Sequence, residues 1–442
     1  MAELELSIEW LSSGGDDPVF RDTSAQLAIH LDGICLTRNE DVWSRTVRDT
    51  ALVSTYPLAM WFASSWWRLN FEPLPQFGIK PSLDWRMAHE LGAANHGFVW
   101  PRILFSPDGE AINIWAEQLA AKGQSFQYLF GLDAPRAVKT DIFQHQIGGF
   151  VESVLNRLNA LGHIQTDLAA LWSFVKEDSS NPAIRRIRIL EAQMGFDPEE
   201  CPEEVISEAL RIEGSAGPDA MSELAPVFGR RAGGTGLGEI DRLASQKGMQ
   251  GRPQVSADDI TGMPFAGPPW QRGVDAARQL RMLLGNPAEP IDNTNLLALL
   301  GSTENQFNNW DAPAKSIVAI AKPARGDAFD YIPRKRHPIA KRFEFARLIG
   351  EILERPRNDN NWLVSSDIAT ARQKRQRAFA AELLCPIQSL VEFLEGDYSE
   401  SSLEDAAEHF EVSERTVESL LANNGYLEIP SAEPKAPYRL AA

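Results

Sequence analysis

The chain has 442 residues, of which 43% are hydrophobic and 24% charged, so we expect a globular protein too long for one compact core. Its net charge of −18 argues against nucleic-acid binding over the whole surface, because phosphates would be repelled. The absence of a long apolar run excludes a membrane span, the acidic start excludes a secretory signal, and three scattered cysteines indicate a reducing cytoplasm.

Residues 1–125 are predicted to form a mixed α/β domain. Apolar and polar residues alternate over residues 4–10 and again over 27–31, the pattern of half-buried strands. Turn residues at 32–33 and 106–109 favour hairpins. Eight of the twelve tryptophans fall between Trp10 and Trp115. So many indoles predict either a ligand groove or, as the favoured alternative, a core of bulky side chains.

Residues 126–228 are predicted to form a helical module. Apolar residues recur at helical spacing before Gly162, and Thr166 and Asn181 are capping residues for two further helices. Residues 229–267 are rich in glycine and proline and lack sustained periodicity, so they predict a flexible linker. The glycines of residues 233–238 resemble a phosphate-binding loop only superficially, since no Lys-Ser/Thr pair follows them.

Residues 268–427 are predicted to be helical with a short strand near 316–320. Two stretches in this region, KRFEFARLIGEIL at 341–353 and AFAAELLCP at 378–386, resemble the ImmA/IrrE family of zinc metallopeptidases. The family's helix carries Ala-His-Glu-Leu-Gly-His and its second motif reads Phe-Ala-Ala-Glu-Leu-Leu-Met-Pro. The resemblance implies a zincin-like helical domain with a small sheet and a helix-turn-helix-like tail.

The chain departs from the family at the positions that would bind zinc. Arg347 and Glu351 occupy the positions of the two His ligands, and Leu348 occupies that of the catalytic Glu. The stretch that supplies the third ligand in the family has no carboxylate and carries Arg372, Lys374, Arg375 and Arg377 instead. Guanidinium groups have no lone pair for a metal. We therefore predict no zinc, no other cofactor and no catalytic residue here.

The same cationic residues are candidates for a different kind of site. Arg347, Arg372, Lys374, Arg375 and Arg377 could bind an anionic group of a partner or of a nucleic acid, or could be paired with nearby acids. Arg347 and Glu351 stand one helical turn apart and could form an ion pair.

One other stretch invites a search for metal ligands. His89 is followed by Glu90, and His96 lies seven residues further on. Seven residues of a continuous helix rise about 10 Å, so both histidines could not bind one zinc unless the helix broke. They remain weak candidates for a metal site.

The sequence thus predicts an α+β, predominantly helical cytoplasmic protein with a degenerate peptidase domain at residues 268–427. By resemblance, its function would be sensing, regulation or binding of a protein partner such as a repressor, toxin or antitoxin, in bacterial stress, mobile-element or phage-defence regulation. Two alternatives stay open: an active zinc metallo-endopeptidase with unusual ligands, and a nucleic-acid-binding regulator that uses a basic cleft.

Overall fold

The computed structural model describes residues 2–75, 80–118, 126–230, 236–260, 265–310, 316–356, 359–427 and 437–438. It divides the chain into two compact units. The N-terminal unit comprises Met1–Ile206, Arg230–Gly233 and Glu433–Ala442, and the C-terminal unit comprises Ser207–Gly229 and Gly234–Ala432. The described residues are α+β with more helix than strand, as predicted.

In the part of the N-terminal unit that the structure describes, ten short strands form three antiparallel sheets. The strands are β1 Leu4–Trp10, β2 Ser24–Leu31, β3 Ile34–Cys35, β4 Asn39–Asp41, β5 Thr46–Arg48, β6 Ala51–Ser54, β7 Arg102–Pro107, β8 Ala111–Glu117, β9 Phe126–Tyr128 and β10 Arg136–Lys139. The first sheet has the order β1-β2-β3 with β6 also on β2, the second β10-β8-β7 and the third β5-β4-β9. The predicted hairpins at 32–33 and 106–109 are confirmed.

Seven helices precede the end of this unit. They are α1 Pro18–Asp22, α2 Tyr56–Ser64, α3 Trp66–Phe71, α4 Leu83–His89, α5 Thr140–Ala160, α6 Asp167–Ser180 and α7 Pro182–Gln193. The predicted caps act as expected: the Thr166 hydroxyl accepts from the Ala169 N–H, and the Asn181 side chain accepts from the first N–H groups of α7. Gly162, with a φ of 88°, follows the end of α5.

Aromatic side chains fill the core of the N-terminal unit. Trp61, Trp66 and Trp67 are each at most 9% exposed and share one hydrophobic cluster with residues of β1, β2, α5 and α6. Trp66 meets Trp172 edge to face at 5.1 Å. The core interpretation of the Trp-rich region is therefore confirmed for these residues.

The C-terminal unit contains one antiparallel sheet and the remaining helices. Its strands are β11 Met249–Gly251, β12 Ala319–Pro323, β13 Phe329–Ile332 and β14 Leu363–Ser365, in the order β11-β13-β12-β14. The helices are α8 Glu203–Ala216, which begins just before the unit boundary, α9 Pro218–Phe228, α10 Gly238–Ala244, α11 Pro269–Leu283, α12 Asn293–Leu299, α13 Glu304–Asn309, α14 Pro338–Ile352, α15 Ala371–Leu384, α16 Ile387–Leu394, α17 Glu400–His409 and α18 Glu414–Asn423. The strand predicted near 316–320 is observed three residues later, as β12.

Close packing of α11, α14 and α15 forms the centre of this unit. A Cβ added at Gly350 of α14 would lie 2.7 Å from the Phe379 ring of α15, and one at Gly273 of α11 would overlap the Arg375 carbonyl. Glycine at both positions lets the backbones approach, so α15 is held between the other two helices. Phe410, directly after α17, and Val417 and Leu421 of α18 belong to the same core.

The domain boundaries differ from those predicted. Helices α5, α6 and α7, predicted to belong to a separate module at 126–228, pack into the core of the N-terminal unit. The linker predicted over 229–267 contains α10 and β11, and its Met249, Val255 and Ile260 are buried in the C-terminal core. The sequence pattern did not reveal α10 and β11 because both are too short to show a helical or strand period. Residues 231–235 and 261–264, including most of the glycine-rich run, lie outside the described residues.

Among the helices that the structure describes, none is both long enough and apolar enough to cross a bilayer.

Candidate functional site

Helix α14 places Arg347, Leu348 and Glu351 inside the C-terminal unit. Leu348 is fully buried in the apolar core, whereas Arg347 and Glu351 are 3% and 1% exposed. The helix starts at Pro338 and packs against α15 along its length. Arg347 and Glu351 are therefore buried charged side chains one turn apart, and both require partners inside the protein.

Cationic and amide groups surround the carboxylate of Glu351. Its Oε1 atom accepts from Arg355 Nη2 at 3.0 Å and lies 3.3 Å from Arg372 Nη1. Its Oε2 atom accepts from Gln376 Nε2 at 2.9 Å and lies 3.8 Å from Arg375 Nη2. Burial opposes ionisation of this carboxyl, yet the three guanidinium groups outweigh it and hold the pKa at about 2. Glu351 is therefore a carboxylate whose oxygens are already engaged.

Arg347 has separate partners. Its Nη2 atom donates to the Ser366 carbonyl at 2.6 Å and to Gln373 Oε1 at 2.5 Å, and its Nη1 atom lies 3.9 Å from Asp367. The ion pair that the helical spacing suggested with Glu351 is replaced by these contacts. Burial, together with repulsion from Arg377 and from Arg334, lowers the pKa of Arg347 to about 9.

The four cationic residues of α15 have different surroundings. Arg375 is buried and also lies 3.3 Å from Glu354, while Arg372 is partly buried and donates to Asp219 at 2.8 Å. Arg377 is partly buried, donates to the Ile368 carbonyl at 3.3 Å, and its pKa is lowered by burial. Lys374 is partly buried. The structure brings Arg372 and Arg375 to Glu351, and brings Arg377 near Arg347.

Helix α9 supplies two acidic residues that sequence reasoning missed. Glu223 is 5% exposed and accepts from the Thr370 hydroxyl at 2.9 Å, and Asp219 is the partner of Arg372. Burial raises the pKa of Glu223. Both residues lie about 150 positions before their partners, so no local pattern could have revealed them. Arg355, by contrast, follows Glu351 at the i+4 spacing of helical ion pairs and could have been found.

The arrangement is unfavourable for a divalent cation. Two unit charges 4 Å apart interact by about 4 kcal/mol at an effective dielectric constant of 20. A dication at Glu351 would therefore be repelled by Arg355, Arg372 and Arg375 together. Among the residues that the structure describes, no three His, Cys, Asp or Glu side chains are grouped as a metal site would require.

The histidines singled out in the N-terminal unit also have defined surroundings. Helix α4 ends at His89 and a short 3₁₀ turn follows, so the continuous helix assumed between the two residues is not formed. His89 is fully buried, with Nδ1 3.0 Å from the Phe105 carbonyl and Nε2 3.1 Å from Glu72 Oε2. His96 is exposed, with a φ of 57°. Both ring nitrogens of His89 thus already have protein partners.

Glu72 connects His89 to a buried arginine. Arg68 Nε donates to Glu72 Oε2 at 2.7 Å, and its Nη2 atom donates to Asp84 at 2.9 Å. Burial opposes ionisation of Glu72, but His89 and Arg68 hold its pKa below the ordinary value. Burial lowers the pKa of His89. This second cluster is ionic, as the first is, but it belongs to a different unit.

In comparisons with known proteins, no family model, no curated protein and no solved structure matches the chain.

Proposed function

We propose that the C-terminal unit is a non-catalytic, metallopeptidase-like scaffold that acts by binding a protein partner rather than by cutting one. The observation that carries this proposal is the engagement of the Glu351 carboxylate by Arg355, Arg372 and Gln376. Its support from the sequence is the resemblance of residues 341–353 and 378–386 to ImmA/IrrE peptidases.

Zinc-dependent hydrolysis needs ligands and a general base that this site does not offer. A pair of His side chains at i and i+4 would hold the ion, and the Glu beside the first would take a proton from the bound water. Here Arg347 acts only as a hydrogen-bond donor, so it has no lone pair to offer a metal ion. Leu348 is packed in the core and cannot act as a base. Without an ion or a base, water at this position is not activated.

A protein partner is favoured over nucleic acid by the distribution of charge and of apolar surface. The cations of the proposed basic cleft are buried or partly buried, and Arg334, Arg372 and Arg375 pair with acids of the same unit. The end of α11 instead exposes Met282, Leu283 and the adjacent Leu284, which are 71%, 57% and 40% exposed. Contiguous exposed apolar side chains are a feature of protein interaction sites. By resemblance, the partner would be a repressor, toxin or antitoxin.

The test is quantitative affinity capture from the cells that make the protein, using the tagged full chain. Wild type should retain a partner of intact mass, and the Met282→Glu/Leu284→Glu double variant should lose most of it. Tyr426→Ser, which alters another exposed side chain of the same unit, is the matched control and should capture normally. A captured protein that is cleaved in a chelator-sensitive manner would contradict the proposal, as would equal capture by both variants.

A further inference from the structure

The N-terminal unit contains an open groove of about 650 Å³. Its walls come from α2, α3, α4, α6 and the turn after α7. This volume lies within the range of pockets that hold ligands. Trp61 and Trp67, whose side chains are otherwise buried in the core, line its floor. Two of the core indoles therefore also contribute to the surface of the groove.

Apolar side chains also stand at the rim of the groove. Phe174 of α6 is 64% exposed and Met87 of α4 is 51% exposed, and both line the groove together with Met60. Exposed rim residues do not enclose a small molecule. They suit an extended apolar ridge, such as one face of an amphipathic helix, since methionine and phenylalanine adapt to varied apolar shapes.

Acidic residues outnumber basic ones in and behind the walls of the groove, which is lined by Asp84, Asp178 and Asp197 but only by Arg68 among the arginines and lysines of the described residues. Arg68 lies within ion-pair distance of three carboxylates, those of Glu72, Asp84 and Asp197. Arg188 likewise meets three, from residues Asp178, Glu191 and Glu199. Arg230 also interacts with Glu72 and Asp84, so these six carboxylates share three guanidinium groups. Even if His89 were charged, negative charge would remain in excess.

One carboxylate that lines the groove, that of Asp197, has a perturbed pKa. The pKa of Asp197 is raised, first by burial and then by Glu200 and Asp84, against the opposing effect of Arg68. Asp84, Asp178 and Asp197 all line the groove. A cation arriving there would relieve this repulsion.

The charge of the whole region agrees with this local excess. Residues 1–206 contain 28 Asp and Glu against 16 Lys and Arg, whereas residues 207–442 contain 33 against 27. Long-range attraction would thus bring a basic partner to the N-terminal unit in particular.

We propose that this groove binds a basic amphipathic segment of a partner protein. Its apolar face packs on Trp61, Met87 and Phe174, and its Lys or Arg side chains pair with Asp84 and Asp197. The inference does not rest on the function proposed for the C-terminal unit, since every residue it uses lies in the N-terminal unit.

The test uses the full-length protein and a fluorescein-labelled 14-residue peptide of Leu and Lys arranged at helical spacing. Two comparison peptides carry Glu in place of Lys, or Ser in place of Leu. We expect a Kd in the micromolar range at low salt for the Leu/Lys peptide, and at least tenfold weaker binding of each comparison peptide. Hydrogen exchange should slow in α2, α4 and α6 when the peptide binds.

Substitutions distinguish binding in the groove from attraction by the overall negative charge of the unit. Met87→Glu/Phe174→Glu and, independently, Asp84→Asn/Asp197→Asn should each weaken binding at least tenfold, and the second pair should also reduce its salt dependence. Glu5→Gln/Glu9→Gln, on the exposed face of β1, removes two charges outside the groove and should change binding less than twofold. Circular dichroism checks that each variant is folded.

Three results would overturn the proposal. One is equal weakening by the groove and β1 variants, which would mean that only net charge matters. Another is binding of the Ser/Lys peptide as tight as that of the Leu/Lys peptide. The third is an absence of Leu/Lys peptide binding at low salt.

Discussion

The two units contain ionic clusters of opposite composition. In the N-terminal unit one guanidinium, that of Arg68, is surrounded by the carboxylates of Glu72, Asp84 and Asp197. In the C-terminal unit one carboxylate, that of Glu351, is surrounded by three guanidinium groups. Both central side chains are at most 3% exposed. The difference is that Asp84 and Asp197 continue to an open groove, whereas Glu351 is enclosed by its partners.

This contrast shows what a buried ionic cluster can do. Taking charges out of water costs several kcal/mol per ion, roughly, and pairing only compensates for that cost. An enclosed cluster with all its charges engaged fixes the positions of helices and has no site left for a ligand. A cluster with surplus charge at a groove can attract one. We therefore assign an architectural role to the Glu351 cluster and a binding role to the acidic groove.

The largest expected effect comes from removing the centre of the enclosed cluster. Glu351→Ala leaves Arg355, Arg372 and Arg375 without their shared carboxylate, and breaking a buried ionic group typically costs about 3–5 kcal/mol. Urea unfolding of the variant should show this loss in the C-terminal unit. Asp219→Asn, which removes an exposed partner of Arg372, is the control and should cost less than about 1 kcal/mol.

Low pH should weaken the ionic cluster around Glu351. The folded pKa of Glu351 is about 2 against an ordinary value of 4.5. Its contribution is therefore complete above pH 4.5 and is lost as the pH falls towards 2, an effect of about 3 kcal/mol. Unfolding measured from pH 6 to pH 3 should lose stability less steeply in Glu351→Gln than in wild type. An equal loss of stability with falling pH in the two proteins would show that another carboxyl group governs acid unfolding.

The corresponding test in the N-terminal unit concerns His89. His89→Phe preserves an aromatic ring stacked on Trp85 but removes the imidazole contacts to the Phe105 carbonyl and to Glu72, which keeps only its bond from Arg68. We expect a loss of about 2 kcal/mol in the free energy of unfolding. His96→Asn, at an exposed position with positive φ, should stay within about 0.5 kcal/mol of wild type. Equal effects of the two changes would contradict the buried network.

The smallest effect has the opposite sign. Burial raises the pKa of Glu223, so its ionisation opposes folding as the pH rises above 4.5. Glu223→Gln can still accept from the Thr370 hydroxyl and should increase stability at pH 7 by about 1 kcal/mol. Thermal unfolding at pH 7 and pH 5 checks this, with a smaller gain expected at pH 5. A loss of stability at pH 7 would show that the charged carboxylate is needed by Arg372.

Much of the fold followed from local patterns. The alternation in residues 4–10, the hairpin turns and the capping residues Thr166 and Asn181 are short-range signals, and the structure confirms them. Boundaries between the units could not be read in the same way. The apolar face of α5 is visible in the sequence, but the pattern does not show which unit it packs against. Its place in the N-terminal core depends on contacts with residues far away in sequence.

The candidate sites were predictable only in part. Residues 347, 348 and 351 were singled out from the sequence only because the stretch around them resembles a peptidase motif. Glu223 and Thr370, which are hydrogen-bonded to each other in the same region, are separated by 147 residues, so only folding brings them together. The concentration of tryptophans suggested a groove only as the less favoured alternative to a core. The acidic walls of the groove were not predicted, because Asp84, Asp178 and Asp197 are isolated in sequence.

Zinc content measures the central claim most directly. Protein purified without chelator, incubated with one equivalent of Zn²⁺ and desalted, should retain less than about 0.1 equivalent by elemental analysis, and Glu351→Gln should retain no less than wild type, because Arg355, Arg372 and Arg375 already neutralise the carboxylate. One equivalent of tightly held zinc that disappears in Glu351→Gln, together with chelator-sensitive peptide cleavage, would contradict the account.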